Sequence, residues 1–122
     1  MEWRVDFHPA FAREFDRLTE PVQDELAALI ELLKMTGPLL KRPRSDTLNG
    51  SRHANMKELR FDADDCMWRV AYAFDTRRKA ILLTAGDKSG VSSTRFYKAL
   101  IAKADARFDE HLAALGRNGK LP

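Results

Sequence analysis

The sequence predicts an α+β domain: a mainly antiparallel sheet with an N-terminal helical hairpin and a C-terminal helix, in the order βααβββα. Three observations predict it. Residues 2–7 and 56–74 alternate apolar and polar side chains at the two-residue period of half-buried strands. Residues 11–33 and 97–115 instead space their apolar side chains three and four apart, the stripe of amphipathic helices. Ala80 to Ala85, Ala-Ile-Leu-Leu-Thr-Ala, is a near-continuous apolar run, as a strand covered on both faces requires.

Taken in order, Glu2 to Phe7 sets Trp3, Val5 and Phe7 against Glu2, Arg4 and Asp6, and His8-Pro9 ends the strand. Phe11, Phe15 and Leu18 stripe a short helix. Thr19 can cap a second helix with Pro21 in its first turn, where the missing proline N–H removes no bond. Val22, Leu26, Leu29, Ile30 and Leu33 form its buried stripe, and Gly37-Pro38 stops it. Leu39 to Ala54 has no period and carries Lys41, Arg42, Arg44, Arg52 and His53, so it reads as a basic loop, either a solvated connector or part of an electropositive surface.

Met56 to Phe74 reads as a β-hairpin. Lys57, Leu59 and Phe61 share one face of its first strand, and Trp68, Val70, Tyr72 and Phe74 the apolar face of its second. For both faces to meet one core the turn must hold an even number of residues, and Asp64-Asp65 satisfies this. Phe61 then opposes Trp68 on the core side and Arg60 opposes Arg69 on the other. Two like charges facing across a ladder repel unless an acid or an anion lies between them. Either Glu58 and the turn aspartates neutralise the pair on a solvated face, or the pair forms an anion site.

Asp75 to Lys79 makes the next turn, and Gly86 to Gly90 leaves the sheet after the apolar strand. The first strand is expected beside this last one, whose apolarity suits a central place. Ser92, Ser93 and Thr94 offer caps for a final helix with Tyr97, Leu100, Ile101, Ala104, Phe108, Leu112 and Leu115 on one face, ended by Gly116. Residues 1–116 are therefore expected to form one domain and 117–122 a flexible tail.

At 122 residues the chain can bury one ordinary core, and its net charge of +3 is a mild bias towards polyanions. The single Cys66 excludes an internal disulfide and a cysteine-based zinc cluster, and suits a reducing compartment. No apolar run approaches the roughly 20 residues of a membrane helix, so a soluble cytoplasmic protein without membrane contact is expected. His8, His53 and His111 are scattered with no carboxylates at ligand spacing, so no metal site is expected. No Gly-rich phosphate loop is present and no cofactor is expected, and no serine sits in a nucleophile elbow.

What remains is Arg60, Arg69 and Lys88, with Glu58, Lys57 and Tyr97 near them in the expected topology. Arginine and lysine hold phosphate and stabilise added charge on a pentacoordinate transition state. Glutamate, tyrosine and lysine can move protons. Such a set could cleave RNA without metal, because RNA supplies its own nucleophile in the 2′-hydroxyl. Tyr97 also lies on the helix stripe, where it could serve as core, and Lys57 has the parity of a core-side edge residue whose amine reaches water.

Leu48-Asn49-Gly50, Glu58-Leu59-Arg60, Trp68-Arg69-Val70-Ala71-Tyr72 and Ile81-Leu82-Leu83 together resemble the toxin subunits of RelE/ParE-superfamily toxin–antitoxin modules, nearest the phage-derived, HigB-like branch. The resemblance runs from the first strand to the last helix. It implies a small basic cytoplasmic toxin that cleaves messenger RNA in the ribosomal decoding site and is neutralised by an antitoxin, usually a helix-turn-helix protein, with operator DNA bound only through the toxin–antitoxin complex. Carried over, Arg69 is the phosphate or transition-state arginine, Arg60 the basic residue closing the preceding strand, Lys88 the basic position after the last strand, and Tyr97 a late tyrosine. Lys41, Arg42, Arg44, Arg52, His53 and Lys57 are the expected RNA-binding cations. The chain departs from the pattern twice. Asp87-Lys88-Ser89-Gly90 stands where many HigB-like members have two lysines and Thr-Pro, and Glu58 stands where RelE has a catalytic lysine. Glu58 could then be a general base, with Lys57 the alternative, or a salt-bridge partner of Arg69. The resemblance implies an endoribonuclease; a ParE-like inhibitor of DNA gyrase and an inactive member that only binds its antitoxin are the alternatives.

Overall fold

The computed structural model describes residues 2–119. Strand β1 (Arg4–Phe7) leads into helices α1 (Pro9–Phe15) and α2 (Glu20–Thr36). A single 3-10 turn (Gly37–Leu39) follows, then strands β2 (Ser45–Thr47), β3 (Lys57–Ala63), β4 (Cys66–Phe74) and β5 (Lys79–Asp87), and helix α3 (Ser93–Gly119). The sheet order is β1-β5-β4-β3-β2, antiparallel except where β1 joins β5 in parallel. β1 therefore lies beside the apolar strand, as expected, but it covers only Lys79 to Leu82 of it.

The hairpin has the expected register. Phe61 opposes Trp68 and Arg60 opposes Arg69, and Ala63 pairs with Cys66 to leave Asp64 and Asp65 as the two-residue turn. Both turn residues have positive φ, 54° and 58°, the backbone of a type I′ turn, whose twist matches that of the strands it joins. The Asp64 carboxylate accepts the Thr19 hydroxyl, so Thr19 opens α2 without capping it through its side chain.

One face of the sheet packs Leu59, Val70, Tyr72 and Leu82 against Phe11, Leu26, Leu29 and Leu33 of α1 and α2. Each of these large side chains contributes about 1.5–3 kcal/mol when removed from water. The other face is also covered. Met56, Ala71, Ala73, Ile81 and Leu83 meet Phe96, Leu100, Ala104 and Phe108 of α3. This corrects the solvated face allowed for around Arg69: α3 roofs it, and small alanines on β4 let the helix approach. Nor do the turn aspartates neutralise the arginines: Asp64 is engaged by Thr19, and among the described residues the acid paired with Arg60 and Arg69 is Glu58.

Two further differences concern boundaries. The aperiodic segment 39–54 contains β2, which pairs Ser45, Asp46 and Thr47 with Leu59, Glu58 and Lys57 and adds a fifth strand at the sheet edge. A three-residue strand is too short to display a period. Helix α3 passes through Gly116 to Gly119, since a glycine lowers helix stability by only about 1 kcal/mol and ends a helix only where the backbone turns left-handed. Of the expected flexible segment 117–122, residues 120–122 lie outside the described residues.

Candidate functional site

Strand alternation places Glu58 and Arg60 of β3 and Arg69 of β4 on the face that α3 covers, at the end of the ladder where the helix begins. Ala71 opposes Glu58, and its small side chain leaves the carboxylate room to reach diagonally towards Arg69. Glu58 Oε1 stands 3.9 Å from Arg69 Nε, and Oε2 3.9 Å from Arg60 Nε. Both distances permit attraction but exceed hydrogen-bonding range. Tyr97, from the first turns of α3, donates its hydroxyl to Glu58 Oε2 at 3.2 Å, and Arg69 Nη1 donates to the Trp68 carbonyl at 2.8 Å.

Glu58 and Arg69 are both buried, with 6% and 8% of their side chains exposed, whereas Arg60 keeps 29%. Among the described residues, Glu58 Oε1 and Arg69 Nε have no hydrogen-bond partner. Burial pushes the Glu58 carboxyl above its ordinary range, against the pull of the Tyr97 hydroxyl and the two guanidinium groups. Burial, and then the adjoining carboxylate, likewise raises the Tyr97 phenol. A hollow of about 320 Å³ opens over the group, lined by Arg42, Asp46, Thr47, Leu48, Asn49, Glu58, Arg60 and Tyr97.

The structure brings four of the five expected catalytic residues, Glu58, Arg60, Arg69 and Tyr97, into direct proximity. Lys88 joins them through the ring of Tyr97, its Nζ 5.7 Å from the centroid. Its neighbour Asp87 does not neutralise it. That carboxylate instead accepts the Met67 and Ser89 amides and the Ser89 hydroxyl, holding the turn after β5.

The expected RNA-binding cations divide. Arg42 lines the hollow and pairs with Asp46 at 2.7 Å; Lys41 and Arg44 are exposed on the same segment. Arg52 and His53 point instead to α3, where Asp105 and Asp109 engage Arg52 and Asp109 holds His53 Nε2 at 2.8 Å. Lys57, opposite Thr47, shares the face of Leu59 and lines a separate hollow with Lys41. Asp46 and Thr47 were not singled out by sequence reasoning, because only the pairing of β2 with β3 carries them to Glu58. No group of three or more His, Cys, Asp or Glu residues suited to a metal ion occurs among the described residues, and no described helix is long and apolar enough to cross a membrane.

The sequence profile of the family described as phage derived protein Gp49-like (DUF891) matches residues 13–109. The chain belongs to this family. The match spans α2, the hairpin, β5 and most of α3, and so the whole Glu58–Arg69–Tyr97 group of this Gp49-like protein. It is similar to the toxin candidate HigB3 of Mycobacterium tuberculosis H37Rv, 41% identical over 106 residues that cover 87% of this chain and 90% of that one. It is also similar to the toxin candidate HigB2 of the same organism, 48% identical over 87 residues, 70% of this chain. The match spans only 43% of HigB2's own length. Among solved structures, a double-arginine mutant of the E. coli toxin RelE in the free state superposes with a TM-score of 0.61 over 84% of this chain and 97% of that one. At 13% identity this likeness shows a RelE-like fold.

Proposed function

We propose that this Gp49-like protein is the toxin of a type II toxin–antitoxin module and a ribosome-dependent, metal-independent messenger RNA endoribonuclease. One observation carries the reading: two arginines converge on a buried carboxylate at the floor of an open hollow, and the deeper arginine has an unpartnered Nε. That is the equipment for gripping a phosphodiester and moving one proton beside it. Similarity to the two HigB toxin candidates supports the toxin role.

In this mechanism the scissile phosphate enters the hollow against Arg60 and Arg69. The 2′-hydroxyl oxygen attacks phosphorus while Glu58 takes its proton, and the bond to the 5′ oxygen breaks, leaving a 2′,3′-cyclic phosphate and a 5′-hydroxyl. The charge count favours this transfer. Two guanidiniums, one carboxylate and one phosphodiester sum to zero; moving the proton to Glu58 as the phosphorane becomes a dianion keeps the sum at zero. Tyr97 orients Glu58, because its own proton is engaged there and its phenol is a weakened acid. Lys88 protonates the leaving 5′ oxygen. Lys41, Arg42 and Arg44 hold flanking phosphates, a term that weakens with salt. The partners are a cognate antitoxin, expected to be a helix-turn-helix protein, and the ribosome with its message; operator DNA is reached only through the antitoxin complex.

The test is primer extension on a defined message in a purified translation system, with and without ribosomes. The parent should give ribosome-dependent cuts, and Arg69→Ala should reduce them by roughly 100-fold or more. Arg69→Lys, which keeps the charge but loses the planar fork, should recover little. Parental cutting by Arg69→Ala would remove Arg69 from the mechanism. Growth arrest without cuts would direct attention to gyrase, read by a supercoiling assay.

A further inference from the structure

Inside the free protein, Glu58 occupies the place between two guanidiniums that an anion would take. It fills that place poorly. At 3.9 Å from either Nε it makes no hydrogen bond to Arg60 or Arg69, and its Oε1 and Arg69 Nε are both left unpartnered among the described residues. More than nine-tenths of each of these two side chains is buried, where an unmade bond to a charged group is costly. A phosphate entering the hollow against Arg60, which lines it, would bring an acceptor towards Arg69 Nε, which lies beneath that lining. It would also set its own negative oxygens against the carboxylate.

The outcome depends on the charge of the ligand. Arg60, Arg69 and ionised Glu58 sum to +1, which a phosphodiester monoanion balances and a phosphate dianion exceeds by one. One of the groups facing the site must then take up a proton. From β2, Asp46 is engaged by Arg42 through Oδ2 and by the Thr47 amide through Oδ1, and these bonds hold its carboxyl below the ordinary range. From α3, the Tyr97 hydroxyl already carries its proton, and Lys88 beyond the Tyr97 ring is a cation. Arg60 from β3 and Arg69 from β4 contribute guanidinium cations, which can accept no further proton. Of the protein groups facing the site, that leaves Glu58 to take up the proton; the ligand's own second ionisation, at about pH 6, is common to parent and Glu58→Gln and cancels between them.

We propose that Glu58 is a built-in counter-anion that yields by protonation: a phosphate dianion binds between Arg60 and Arg69 with uptake of one proton onto Glu58, whereas a phosphodiester monoanion binds without it. This rests on the phosphate-site reading above and adds a ligand class and a pH dependence to it. The bound dianion then faces a neutral carboxyl that can donate a hydrogen bond to it. Its affinity rises about tenfold for each pH unit lost between the free and the bound pKa of Glu58. The cyclic phosphate product, a monoanion, draws no such proton and leaves.

Isothermal titration of the whole protein with 2′-deoxyadenosine 3′-monophosphate, in buffers of unlike ionisation enthalpy from about pH 6 to 8, reads the uptake directly. The parent should take up more protons than Glu58→Gln, by at least about half a proton at the maximum of the pH profile. Glu58→Gln, which keeps the shape and the acceptor for Tyr97, should bind the monoester at least about tenfold more tightly at pH 8, with the affinity no longer set by position 58. The methyl diester of the same nucleotide should bind the parent with no excess uptake. Equal proton uptake by parent and variant would overturn the proposal, as would binding of the monoester to neither. Cleavage by the parent and its loss in Arg69→Ala are scored separately, so the endonuclease reading can survive that failure or fall on its own.

Discussion

Glu58 is a carboxylate whose charge the fold disfavours. Burial raises its folded pKa above the unfolded value, so between the two values the folded chain holds the proton that the unfolded chain releases. Stability conferred by this group is therefore present at low pH and lost as pH rises through the folded pKa. Glu58→Gln should raise the urea midpoint at pH 8 relative to the parent, and the gain should shrink as the pH falls towards the ordinary carboxylate range. A variant less stable than the parent at both ends would mean that attraction to Arg60 and Arg69 outweighs burial. That Arg60 and Arg69 face each other was legible from alternation and turn parity alone. The depth of Glu58 was not, because Tyr97, which caps it, lies 39 residues away on a helix whose docking no local period specifies. Lys57 carried its own answer, since its parity already put it on the opposite face from Glu58.

At the scale of elements, the joints decide more than the lengths. Gly37 ends α2 with φ 57° and ψ −137°, and a Cβ there would strike the indole of Trp3, whose own amide donates to Lys34 at the end of the same helix. Gly37→Ala should lower stability by about 1–3 kcal/mol, measured by urea unfolding, through backbone strain and displacement of Trp3. A loss within a few tenths would mean that the indole gives way freely. The stop at Gly37-Pro38 was readable because glycine and proline punctuate locally. So was the hairpin, where aspartates accept the left-handed backbone that a two-residue turn demands. β2 was not readable: its three residues become a strand only through β3, and the helical period does not single out the buried Phe96 on α3 because Tyr97 beside it fits the stripe as well.

Across the whole molecule, α3 is the element that ties distant parts together. Its Arg107 forks onto both carboxylate oxygens of Glu14 on α1, at 2.8 and 2.6 Å, and also donates to the Leu83 carbonyl of β5. All three histidines work on the same stretch: His8 meets Glu110, His53 meets Asp109, and His111 meets Asp75 in the turn before β5. With Glu14 39% exposed and Arg107 13%, Arg107→Ala should lower stability by about 1–3 kcal/mol in urea unfolding, less than a fully buried pair would. These ties hold the helix whose first turns carry Tyr97, and none was visible as a spacing in the chain. The short β1 has a further consequence. Past Leu82 no described strand lies on the outer side of β5, and the half-buried residues Ala85 to Asp87 carry their backbone groups along that margin. Arg107 blocks the near end of that margin by occupying the Leu83 carbonyl, so the same guanidinium is a guard against edge-to-edge stacking of one molecule on another. Concentrated solutions of the protein should stay clear while that guard is in place, and light scattering should climb first in preparations that have lost it.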